Sequence, residues 1–212
     1  MGTAATSRTP GVRLSRRRIA VAGLGLVQRE GVAALSMRRL AEELDTAPMS
    51  LYRHVADRRD LLDLLLDEVS DLVAPPDDDL PPREAIIATV ERAHEVVDGN
   101  RWVVELMLAG DELLRPGALR LSEALYRAMA RAGLEPEAAA RFHAAIWQYL
   151  WGHVVVAGDL GLAQRSRAAY VAAGGDRESF PEIARVEEAV ARLDPHESFR
   201  AGLLALVDGF LA

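Results

Sequence analysis

At 212 residues and 50% apolar composition, the chain holds enough material to bury a core without covalent staples. It contains no cysteine, which excludes disulfides, thiolate nucleophiles and sulfur-ligated metal sites and makes a reducing cytoplasm the expected address. The formal charge of −7 speaks against a nucleic-acid partner on average, yet residues 1–60 carry eleven arginines against six acids, +5, which leaves −12 for the remainder.

A basic head on an acidic body is the pattern of a DNA-binding module joined to a module of another kind, since only the face that meets phosphates needs positive charge. Every basic residue is Arg and none is Lys, which reads as nucleotide-composition bias rather than chemistry. Residues 1–14 lack the apolar stretch of a secretory signal, and apolar runs elsewhere are broken by charge before they reach spanning length. Neither secretion nor membrane insertion is expected.

Helical periodicity dominates, strand alternation is missing, and the fold class expected is all-α. The polar tail to about Leu14 reads as disordered. A first helix from about Ser15 to Glu30 places Ile19, Ala22, Leu26 and Val27 on one face, and Gly31 stops it. Ser36 is suited to cap a second helix in which Met37, Leu40, Ala41 and Leu44 repeat that spacing. After a break at Asp45, Thr46 and Ala47, Pro48 opens a short third helix with Leu51 and Val55 facing inward. Asp57 caps a fourth, striped by Leu61, Leu62, Leu65, Leu66, Val69 and Leu72.

The segment Ala74 to Pro82 (APPDDDLPP) ends that helix, because proline cannot continue one, and it marks a domain boundary. The expected organisation is a tail over 1–14, a DNA-binding domain with its linking helix over 15–73, and a second domain over 83–212. Further helices are expected at about Arg83 to Val97, Trp102 to Leu108, Gly117 to Ala132, Glu137 to Ala157, Pro181 to Leu193 and His196 to Leu211. Asp159 to Phe180, rich in glycine, reads as a mobile loop with at most a short helix around Gln164 to Ala173.

Two short amphipathic helices joined by a three-residue turn are the helix-turn-helix pattern, whose second helix enters the major groove with its N-terminal side chains at base edges. With Leu51 and Val55 inside, Pro48, Met49, Ser50, Tyr52, Arg53 and His54 are left to face outward. Polar and aromatic side chains on so small an exposed element are natural DNA contacts.

The stretch Leu35-Ser36-Met37-Arg38-Arg39-Leu40-Ala41-Glu42-Glu43-Leu44, followed by Pro48-Met49-Ser50-Leu51-Tyr52-Arg53-His54-Val55, resembles the DNA-binding domain of TetR-family repressors, over about Ile19 to Val73. The resemblance implies that Arg38, Pro48, Met49 and Ser50 approach bases, while Tyr52, His54 and Arg58 hold the DNA backbone. Arg53 joins them on position alone. Asp45 stands where the family usually has Gly; aspartate tolerates the left-handed conformation such a turn requires.

The C-terminal part resembles the tetracycline-repressor-like branch more loosely, in Phe180-Pro181-Glu182-Ile183 and the last helix Glu197 to Leu211. The resemblance implies a dimerising helical bundle with a ligand pocket. Independently, the helix from Glu137 to Ala157 is apolar nearly all round, with Phe142, Ile146, Tyr149, His153 and Val156 on one stripe and His143, Trp147, Leu150 or Trp151, and Val154 on the next, so it must be buried on more than one side. One side can pack on its own bundle while the other meets a second copy, together with the last helix at 196–211. A homodimer is also what a palindromic operator requires.

Trp102, Met107, Tyr126, Phe142, His143, Trp147 and Trp151 are the bulky candidates to line the pocket, although aromatic and Met residues at helical spacing are more often core. Tetracycline binders of the family begin their sixth helix with a histidine, whereas Asp98-Gly99-Asn100-Arg101-Trp102 offers none. The five histidines are scattered along the chain, so no metal and no cofactor is expected, and a small, mostly apolar effector is. Ligand would shift the helix at Trp102 to Leu108, move the long fourth helix, and spread the recognition helices. The rival reading is a small all-α enzyme using Glu91, Glu95 or Glu105 with His94 or His143 as acid and base, but nothing fixes these at catalytic spacing.

Overall fold

The computed structural model describes residues 14–73, 79–108, 116–172 and 179–212, and within them every regular element is helical. The polar tail through residue 13, positions 74–78 of the proline-rich boundary and positions 173–178 of the glycine-rich stretch lie outside the described residues. The chain divides into two compact units, Met1–Glu68 and Val69–Ala212, and the division falls inside the fourth helix rather than at the prolines.

The first unit begins with α1, Arg16–Glu30, capped by the Ser15 hydroxyl accepting from the Arg18 amide and stopped at Gly31, whose φ of 81° suits a residue without a Cβ. A single 3-10 turn, Val32–Ala34, leads to α2, Met37–Glu43, which starts where the Ser36 hydroxyl accepts from the Arg39 amide at 3.1 Å. α3, Pro48–Leu51, is one turn long, and α4, Arg58–Asp71, starts where the Asp57 carboxylate accepts from the Asp60 amide at 2.9 Å. Ile19, Leu26, Leu40, Leu51, Leu61 and Leu65 are fully buried and form the core of this unit. Fully burying such side chains is worth about 1.5–3 kcal/mol each, which is what holds elements as short as α3 in place.

The second unit is built from α5 (Pro82–Asp98), α6 (Trp102–Leu108), α7 (Pro116–Arg131), α8 (Pro136–Ala172), α9 (Pro181–Ala191) and α10 (Pro195–Leu211). Five of these six open on proline, which has no amide hydrogen to leave unpaired in a first turn. α8 packs on α5, α6, α7 and α10 and is the axis of the unit. Its C-terminal half differs from expectation: the helix runs on through 172 instead of ending near Ala157. Gly158 and Gly161 each cost about 1 kcal/mol relative to Ala in a helix, too little to break one when leucine, alanine, glutamine and arginine follow.

α10 approaches α8 closely at Gly202. A Cβ there would lie 2.0 Å from the Tyr149 hydroxyl, which instead donates to the Phe199 carbonyl at 2.9 Å. Phe199, Leu203 and Val207 form the buried face of α10.

Candidate nucleic-acid interface and effector-binding helices

The turn between α2 and α3 places Asp45 at φ 49°, the left-handed conformation anticipated from its position. The Asp45 amide donates to the Glu42 carbonyl and that of Thr46 to the Ala41 carbonyl, so the reversal leaves neither donor unmet. Beyond it, Leu51 and Val55 are 0% and 1% exposed, whereas Met49 is 75% and Tyr52 46% exposed. Pro48 and Arg53 are also exposed, and Ser50 and His54 are half-buried. A methionine and a tyrosine this exposed on and just past a four-residue helix are not explained by the needs of the core beneath them.

The Arg38 side chain is 87% exposed, with Nε on the Glu42 carboxylate one turn away. Such a surface pair is worth roughly 0.3–0.5 kcal/mol and is readily exchanged for a phosphate or a base edge. Arg53 reaches the Ser50 hydroxyl at 3.4 Å. Arg39, by contrast, is held by Glu30 and Glu43, and Arg29 by Glu43, so these two knit α1 to α2.

Arg58 is placed differently from its companions. Its Nε donates to the Leu35 carbonyl and its Nη2 to the Val32 carbonyl, both at 3.0 Å. Arg16, which sequence reasoning passed over, donates to the His54 carbonyl and to the Asp60 carboxylate. Asp60 also accepts from the Ala56 amide, and these two hydrogen bonds hold its carboxyl below the usual range, that of Arg16 first. Nothing local in the sequence marks either arginine, since their partners lie more than twenty residues away.

In the second unit six of the seven aromatic and Met candidates separate into two sets. Phe142 is fully buried and stacked on Phe210 at 4.6 Å, and Trp102 is 5% exposed with its indole N–H on Asn100, so both are core. Tyr126, His143, Trp147 and Trp151 instead form a ladder along α7 and α8, none of them fully buried. Tyr126 stacks on His143 at 4.5 Å, and Trp147 lies 6.4 Å from Trp151. The Trp147 indole donates to His143 Nε2 at 2.8 Å. Burial depresses the His143 pKa, so the ring is neutral, and with Nε2 accepting, its proton sits on Nδ1 as an available donor. Met107, on α6, is half-buried.

Three histidines that are scattered in the sequence are brought together. The His94 ring lies 5.0 Å from His153 and 5.2 Å from His196 and stacks on Phe199 at 3.9 Å. His94 is 4% exposed, its Nδ1 has no partner, and its pKa is pushed down to about 4, by burial first and then by His153 and His196, against the pull of Asp98 and Glu95. A cleft of about 290 Å³ opens beside it between α5 and α10, edged by Glu95, His196 and Glu197. Among the described residues no three histidine, aspartate or glutamate side chains are disposed to hold a metal ion. Two of the three carboxylates weighed for catalysis are in ion pairs, Glu91 with Arg200 and Glu95 with Arg92.

No family model matches the chain. An HTH-type transcriptional regulator of Saccharopolyspora erythraea is 37% identical over 142 residues, 66% of this chain and 60% of that protein. The HTH-type transcriptional repressor DrrR1 of Streptomyces coeruleorubidus is 48% identical over 63 residues, 30% of this chain and 23% of that protein. The chain therefore spans less than two thirds of the length of either relative. Among solved structures, apo ActR from Streptomyces coelicolor is 26% identical and covers 97% of each chain with a TM-score of 0.77. The TetR family protein ActR in complex with actinorhodin is similar at 27% identity, 94% of this chain, 98% of that chain and a TM-score of 0.78. BioQ with its double-stranded DNA operator is similar at 25% identity, 94% of this chain, 99% of that chain and a TM-score of 0.62. These relatives and neighbours are transcriptional regulators rather than enzymes.

Proposed function

We propose that the chain is a helix-turn-helix regulator of the TetR type, a cytoplasmic transcriptional repressor that binds a palindromic operator as a homodimer and is released by a small, mostly apolar effector. The observation that carries the DNA side is the exposed row Pro48, Met49, Tyr52 and Arg53 over a fully buried Leu51, with Arg38 projecting from the preceding helix. Arg38, Pro48, Met49 and Ser50 meet base edges; Tyr52, Arg53 and His54 lie against the sugar-phosphate backbone.

Dimerisation runs through α8 and α10. Both keep half-exposed apolar residues beside their buried faces, Val155 on the one and Leu204 and Leu211 on the other, as a shared four-helix interface requires. No described helix is long and apolar enough to cross a membrane. The effector lies against the ladder Tyr126, His143, Trp147 and Trp151, whose stacked rings suit a flat ligand and whose His143 Nδ1 supplies one polar anchor. Its binding is read out through α4, which starts in the first unit and ends in the second, by favouring a state whose recognition helices no longer match operator spacing. Selection of bound sequences from a random duplex pool tests this reading. An enriched palindrome with half-sites about one helical turn apart is the expected result, and equal recovery of all sequences would sink it.

A further inference from the structure

We propose that Arg58 is a positioning residue of the DNA-binding unit: its guanidinium braces the approach to α2 against the first turn of α4 instead of meeting a phosphate. The proposal rests on the DNA-binding reading above and sharpens it. Arg58 sits at the start of α4, where the resemblance to the family assigns a backbone contact, and an unpaired arginine there would fit that role. Here two of its nitrogens are committed to main-chain carbonyls, Nε to Leu35 and Nη2 to Val32, each at 3.0 Å.

The carbonyls are not incidental acceptors. Leu35 is 1% exposed and Val32 7%, and the Val32 carbonyl, which also accepts from the Leu35 amide at 3.2 Å, closes the turn that leads into α2. Leu35 immediately precedes Ser36, the cap of α2, so fixing its carbonyl fixes where α2 begins. The planar fork of a guanidinium reaches two carbonyls at once; the point charge of an ammonium cannot hold both in that geometry.

The opposite end of the motif is held from the same turn. Asp60 accepts from the Ala56 amide and binds Arg16, and Arg16 donates to the His54 carbonyl just past α3. The first turn of α4 therefore grips the helix-turn-helix at its entry through Arg58 and at its exit through Asp60 and Arg16. Any displacement of that turn is delivered to α2 and α3 together.

The test is the salt dependence of binding by the full chain to the duplex enriched in the random-pool selection, with Arg58→Lys and Arg58→Ala beside the wild type. A brace predicts that both variants bind about tenfold more weakly at fixed salt, with the slope of log affinity against log salt unchanged, and that amide exchange quickens over Leu35 to Leu40. The lysine variant keeps the charge and changes least, so it carries the test if the alanine variant fails to fold. A phosphate contact predicts the reverse: Arg58→Lys close to wild type in affinity and slope, and Arg58→Ala with its slope reduced by about one. That result, or wild-type binding by both variants, would overturn the proposal. Absence of any enriched duplex for the wild type would instead overturn the DNA-binding reading itself.

Discussion

The two units use large side chains in opposite ways. In Met1–Glu68 most residues assigned to DNA stand apart from the core: Leu51 is inside, Met49 and Tyr52 are outside, and only Ser50 and His54 are half-buried. In Val69–Ala212 the residues assigned to the effector are of the same kinds as the core, and only the structure separates Phe142 and Trp102 from the half-exposed ladder of Tyr126, His143, Trp147 and Trp151. A surface that must meet DNA departs from the pattern of a soluble helix and can be seen in a sequence. A pocket for an apolar molecule is made of what cores are made of.

The strongest way to break this contrast is to truncate both sets within the second unit. Phe142→Ala should cost about 3–5 kcal/mol in chemical denaturation, as for a buried aromatic, whereas Trp147→Ala should cost roughly 1 kcal/mol or less. Equal losses would mean that the ladder is core after all. Acid probes the same unit through His94. Its folded pKa, about 4, lies below the ordinary histidine value, so the unfolded chain takes up the proton first. Stability is therefore full above about pH 6.5 and falls as pH drops toward 4, by an amount on the order of 2–3 kcal/mol. His94→Phe, which keeps an aromatic ring against Phe199, should flatten that slope; an unchanged pH profile would show that His94 is not its source.

In the first unit the expected changes lie in binding and not in folding. Tyr52→Ala should weaken operator binding about tenfold while changing the thermal midpoint little, because the side chain is 46% exposed. Arg38→Ala should relax preference at one base pair by about 1–3 kcal/mol, read by competition with mismatched duplexes. A drop in stability in either variant would return that residue to the core. Smallest of all, Asp45→Gly should stabilise the unit by about 0.5–1 kcal/mol, since the backbone there already holds a positive φ that glycine adopts at no steric cost.

Local chemistry was legible and distant chemistry was not. Ser36 and Asp57 announced where α2 and α4 begin because a cap acts within three residues, and Asp45 announced the turn for the same reason. The braces of Arg16 and Arg58 span 38 and 23 residues, and the meeting of His94, His153 and His196 joins three helices, so no periodicity could reveal them. The length of α8 was missed for a different reason. Gly158 and Gly161 were weighed as breaks, although a glycine inside a long helix lowers its stability without ending it.

The three tryptophans of the chain, at 102, 147 and 151, all lie in the second unit. Light that excites indole and not phenol therefore sees only that half of the protein. Its emission reports unfolding of the second unit without contribution from the first, and circular dichroism, which sees both, supplies the difference. Because the Trp147 indole is bonded to the imidazole of His143, its emission should also register a change at that imidazole, so a candidate effector can be screened in a cuvette with no label attached.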